Sequence, residues 1–111
     1  MNLKAGSALY VRIDYKVKGK TESEQDIMDS MAYLQSLTQE RNFLVGIFGD
    51  MEQMQEHAEH EISDTDGIAM ALFEAESLEE AKEISNKDPL IERGFYRCQV
   101  QKWNIMISSK G

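Results

Sequence analysis

The stretch GIAMALFEAESLEEAKEISNKDPLIERGFYRCQV, residues 67–100, decides the fold. It opens with an apolar run, Ile68, Met70, Leu72 and Phe73, which reads as a strand over 67–75. Ser77-Leu78-Glu79-Glu80 then matches a capping box, in which a hydroxyl and a carboxylate satisfy two free N–H groups at a helix start. Leu78, Ala81, Ile84 and Ser85 share one face of the short helix that follows. Asp88-Pro89 stops it, because the residue before proline is pushed out of helical angles. Gly94 closes the connection, and 95–107 reads as a long last strand with Cys98, Val100 and the neighbours of Trp103 as its apolar positions.

The same order is written upstream. Residues 7–17 predict a strand in which Leu9, Val11, Ile13, Tyr15 and Val17 alternate with Tyr10, Arg12, Asp14 and Lys16, one face apolar and the other carrying charge. Lys18-Gly19-Lys20 breaks the pattern. Thr21-Glu22-Ser23-Glu24 reads as a first capping box, opening a helix that runs to about residue 41 with Ile27, Met31, Leu34 and Leu37 as its apolar stripe. Glu22, Glu24 and Asp26 stand where the helix dipole favours negative charge. A short strand over 43–48 ends at Gly49-Asp50. The acidic stretch 50–66 reads as a loop, with or without a turn or two of helix around 51–57, and 108–111 as a tail.

The order β-α-β-β-α-β is the ferredoxin-like α+β arrangement, a four-stranded antiparallel sheet with two helices on one face. At 111 residues the chain is expected to be a single domain, 1–111. Two helices cover one face of such a sheet, yet the strands are apolar at both parities. Phe43, Val45 and Ile47 oppose Leu44 and Phe48, and Ile68, Met70 and Leu72 oppose Phe73. The pattern predicts a sheet-to-sheet homodimer, against the plainer alternative of a monomer with scattered surface apolar residues.

Composition narrows the function classes. Twenty acidic residues against twelve basic ones give a formal net charge of −8, which argues against nucleic acid and against an anionic membrane surface as partners. No run of about 18 apolar residues is present to span a membrane. Cys98 is the single cysteine, so no intramolecular disulfide is possible, and cytoplasmic residence is expected. The two histidines, His57 and His60, lie among carboxylates at a spacing that can share a helical face. No ligand motif surrounds them, and solvated loop histidines are the reading; neither a metal nor a cofactor is expected. Cys98 reads as an inert strand residue, Trp103 and Tyr96 as packing residues, and Met51 and Met54 as an adaptable lining or a satellite of the core.

The segment from Leu72 to Ala81, followed by Asn86-Lys87-Asp88-Pro89-Leu90 and Gly94-Phe95-Tyr96, resembles the C-terminal half of YciI-like (YCII-related) proteins. Leu9-Tyr10-Val11 and Tyr33-Leu34-Gln35-Ser36-Leu37 agree less specifically, so the specific resemblance spans 72–96. It implies a dimeric α+β barrel with a His on the first helix and the Asp of the Asp-Pro turn facing a shared pocket. Asp88 matches that Asp and is the candidate catalytic residue; the position of the His is held by Ser30, which cannot hold a proton near neutral pH. Ser30, Tyr33, Arg93 and Arg97 are the candidate ligand-binding residues. Three functions follow: a small-molecule binder reduced in catalysis, a lyase or isomerase acting on a small aromatic or lactone-like acid through Asp88, or an interaction module building higher oligomers. Without the resemblance, Asp88 reads as a helix stop.

Overall fold

A computed structural model describes residues 8–49 and 66–109. The elements are β1 (Ala8–Lys16), α1 (Glu24–Glu40), β2 (Phe43–Ile47), β3 (Gly67–Phe73), α2 (Leu78–Asn86), α3 (Pro89–Glu92) and β4 (Tyr96–Asn104). The sheet runs β2-β3-β1-β4 with every pairing antiparallel, the ferredoxin-like topology expected from the element order. His57, His60, Met51, Met54 and nearly all of the acidic stretch lie outside the described residues.

Local chemistry moves two boundaries. The first capping box is Ser23 with Asp26, not Thr21 with Glu24: Asp26 N–H donates to the Ser23 hydroxyl at 3.1 Å and Ser23 N–H to the Asp26 carboxylate at 2.8 Å. Glu22 stays outside the helix because Lys16 and the Tyr96 hydroxyl hold its two oxygens at 2.9 and 3.0 Å. At the second helix, Ser77 caps Glu80 N–H at 3.1 Å, while the Glu80 carboxylate turns to Arg41 at 2.7 Å. Asp88-Pro89 does more than stop α2. Asp88 is the N-cap of α3, and Pro89 takes the first-turn position where its missing N–H costs nothing.

The core lies between the sheet and the helices, where Tyr10, Leu37, Ala71, Phe73, Ala81 and Ile84 are buried together. Pairing Tyr10 with Phe73 and Arg12 with Ala71 puts the face of β1 that carries charge under the helices. The cleanly apolar set, Leu9, Val11 and Ile13, is therefore on the other face, beside Leu72, Met70 and Trp103. Ile105, just past β4, folds onto Leu9 and Leu72 and covers one corner of it. The rest is open: Val11, Met70, Leu72, Gln101, Lys102 and Trp103 line a concavity of about 400 Å³.

Helix α1 is also rotated from its expected stripe. Its buried residues are Ser30 and Leu37, with Tyr33 and Leu34 packed against the core, while Ile27 and Met31 are 43% and 56% exposed. Bonds along one flank hold that rotation. Tyr33 donates to the Ile84 carbonyl at 2.7 Å, and Arg93 bridges Asp26 and Asp29 at 2.8 and 2.9 Å. Ile27 and Met31 occupy the opposite flank.

Candidate functional site

Burying the charged face of β1 creates the site. Arg12 is 3% exposed and Asp88 1%, so neither charge is solvated by bulk water. Arg12 Nε and Nη2 donate to the two oxygens of Asp14 at 2.7 and 3.0 Å, a side-on fork available to residues two apart on one strand face. Nη2 also donates to Asp88 Oδ2 at 2.7 Å. The other Asp88 oxygen accepts from Leu90 N–H at 3.0 Å, which is its capping bond to α3. One carboxylate thus fixes the α2–α3 turn to the middle of the sheet.

Burial opposes the Arg12 charge, but Asp14 and then Asp88 outweigh it and hold its pKa above the ordinary value. For Asp14 burial dominates: its pKa is raised, with Arg12 opposing and Asp88 adding to the rise. Cys98, directly across from Asp14 on β4, has its thiol pushed up by burial, which keeps it protonated and inert.

The raised Asp14 carboxyl has a consequence for stability. Its folded pKa lies above its unfolded one, so over that interval the folded chain binds more protons. This contribution to stability grows as pH falls through the interval. Glu22, Asp26 and Asp29 have lowered values and lose their contributions only at more acid pH. Urea midpoints followed from neutral pH down to the ordinary aspartate range should therefore include an acid-side contribution that Asp14→Asn removes; an unchanged pH profile in the variant would refute the assignment.

The remaining candidates are dispersed. Ser30 is 3% exposed on the core side of α1. The Tyr33 hydroxyl is committed to Ile84, and its pKa is raised by burial and then by Asp88. Arg93 is engaged by Asp26 and Asp29 on the outer flank of α1. Arg97 pairs across β1 with Tyr15 on the open face, its guanidinium 4.5 Å from that ring, and is not brought to Asp88. The residue that sequence reasoning missed is Arg12. The alternation gave its face correctly, and nothing in the chain marked that face as the covered one. Among the described residues no cluster of His, Cys, Asp and Glu is arranged to hold a metal, and no helix is long and apolar enough to cross a membrane.

No curated protein matches the chain. Among solved structures it is similar to 5-chloro-2-hydroxyhydroquinone dehydrochlorinase (TftG) from Burkholderia phenoliruptrix in complex with 2,5-dihydroxybenzoquinone, at 20% identity and a TM-score of 0.59, over 86% of this chain and 93% of that one. At that identity the likeness is one of fold. The model of the YCII-related domain matches residues 8–104, from the first strand to the end of the last, and the chain belongs to that family.

Proposed function

We propose that this YCII-related chain is a small-molecule-binding homodimer with its pocket beside Asp88 and Ser30, working by hydrogen bonding and charge rather than by proton transfer. The observation that carries this reading is the partner of Asp88. Where the family resemblance pairs the Asp with a titratable His, this chain has Ser30 on the helix, and Asp88 is bonded to Arg12 at 2.7 Å. A guanidinium held between two carboxylates does not release its proton near neutral pH. The imidazole chemistry of the family pair has no equivalent among these residues. A lyase or isomerase that used Asp88 as proton acceptor would first have to break the Arg12 contact or the cap of α3.

A binding role also has support outside this cluster. The similar dehydrochlorinase was solved with a small quinone bound, and the apolar open face of the sheet offers a second copy somewhere to pack. A lone, protonated, half-buried thiol suits a reducing cytoplasm.

The test is a thermal-shift screen of 2,5-dihydroxybenzoquinone with small phenols, lactones and amides, run on the native chain and on Asp88→Asn. Asparagine keeps the capping bond of α3 but weakens the hold on Arg12. A ligand of the pocket present at 100 times its Kd adds about 2.7 kcal/mol to the native chain. That gain should shrink or vanish in Asp88→Asn. Cooperative melting of both proteins, with no compound shifting either, would sink the binding reading and favour an interaction module.

A further inference from the structure

The sheet ends before its apolar sequence does. Strand β4 stops at Asn104, which pairs with Ala8, and the chain continues as an arm through Ser109. Ile105, the first residue of the arm, is 6% exposed and packs on Leu9 and Leu72. Both belong to the face that the helices leave bare, so the arm is pinned at its root to that face. Met106 and Ile107 follow at 83% and 91% exposed, the two most exposed of the large apolar side chains described. A single exposed apolar residue is ordinary. Here two adjacent ones join, through Ile105 and Leu72, an open concavity lined by Val11, Met70, Leu72 and Trp103, and together they make one continuous apolar surface.

The chain does not cover this surface with its own arm. Ile105 covers one corner, and the exposure of Met106 and Ile107 means that neither lies against its own sheet. The charge pattern indicates what does cover it. Among the described strand positions of the open face the one charged residue is Arg97, and none is a carboxylate, in a chain with twenty acidic residues and a formal net charge of −8. A basic partner finds no countercharge there and would be drawn to the acidic surfaces instead. Two copies of an acidic chain repel over most of their surfaces, and this face is where they can approach without that cost. Its size also suits a copy. Four strands about 4.8 Å apart and about seven residues long present roughly 450 Å² in plan, before side-chain relief is counted. A stable dimer takes about 800 Å² per partner, so an arm from each copy adds area where it is needed.

We infer that in the homodimer Met106 and Ile107 of each copy insert into the concavity of the other, so that each concavity is completed by the partner's arm. The inference rests on the homodimer reading above and adds to it a segment beyond the sheet. A two-fold axis makes the exchange reciprocal, since each copy offers one arm and one concavity. Apolar side chains that single chains leave in water are then buried in pairs, and association gains from all of them.

Two measurements test it. The first is the dimer dissociation constant by sedimentation for the double variant Met106→Ser with Ile107→Ser. Each dimer loses apolar side chains from both arms, so the constant should rise by about thirtyfold or more. The circular dichroism of the chain should be unchanged, because both side chains are exposed in the single copy. Met28→Ser, at a 63% exposed methionine on α1, should leave the constant where it is. The second measurement mixes isotope-labelled native chains with unlabelled chains that carry a nitroxide at Ser109→Cys in a Cys98→Ser background. Amide signals of Val11, Met70 and Leu72 in the labelled copy should broaden, and those of α1 should not. An unchanged dissociation constant in the double variant, an equal effect of Met28→Ser, or no broadening at the concavity would overturn the inference while leaving the homodimer standing. A native protein that sediments as one chain would remove both.

Discussion

Arg12→Leu should lose about 3–5 kcal/mol of folding stability, because it strands the 1%-exposed carboxylate of Asp88 and the partly buried one of Asp14 with no countercharge. A domain of this size holds about 5–15 kcal/mol in total, so the variant should populate unfolded chain well below the melting temperature of the parent. Urea denaturation is the measurement: the midpoint should fall sharply with little change in slope, since the surface exposed on unfolding is nearly the same. The cause can be separated from mere loss of packing. Adding Asp14→Asn and Asp88→Asn to Arg12→Leu removes both stranded charges and keeps the N-cap at residue 88, so it should recover a large part of the loss. Additive losses across the three positions would show that they act independently, contrary to the bond network. Arg12→Lys should fall between, because a point charge cannot make the side-on fork to Asp14 while also reaching Asp88. A cost below about 1 kcal/mol for Arg12→Leu would mean that the cluster is solvated after all.

This cluster also marks where the sequence stopped being legible. Strand and helix order was readable because each element carries its own punctuation: Lys18-Gly19-Lys20 after β1, Ser77 at the start of α2, Asp88-Pro89 at its end. Those are local signals, decided by a few neighbouring dihedrals and caps. Face assignment is not local. Alternation in β1 separates Leu9, Val11 and Ile13 from Tyr10, Arg12 and Asp14, and by hydrophobicity alone the first set belongs under the helices. The structure puts the second set there, because Tyr10 pairs with the fully buried Phe73 and Asp88 supplies a partner for Arg12 from 76 residues away. A charge that finds its partner that far along the chain leaves no periodic trace. The same limit explains α1. Its helical stripe was legible, but the bonds of Tyr33 and Arg93 rotate the helix so that Ser30 goes inside and Met31 outside. Asp88 was reached from the Asp-Pro turn and the family resemblance together, and Arg12, the side chain it holds, was visible only once the sheet register was known.

Trp103→Glu should turn a sedimenting dimer into a single chain at micromolar concentration, and the native protein should sediment at twice the mass of one chain. The argument begins with what the open face exposes. Trp103 is 46% and Leu44 60% exposed, Met70 projects beside them, and all three belong to the face that the helices leave bare. An apolar patch of this kind on a soluble chain marks an interaction surface. A second copy fits it for two reasons. A two-fold axis lets the same patch serve both partners. The charged groups that would oppose it, Arg12, Asp14 and Asp88, are under the helices rather than on this face. Tryptophan in the middle of an interface commonly carries 2 kcal/mol or more, and a buried carboxylate in its place adds an unpaired charge, so the dissociation constant should rise by about thirtyfold or more. Lys102→Glu is the control. Lys102 borders the same concavity, but its place in the strand alternation puts it on the helix side, and its substitution should change the dissociation constant by well under tenfold. A native protein that sediments as one chain would remove the dimer from the proposed function. The Arg12 cluster would be untouched by that result, because every residue that forms it comes from one chain.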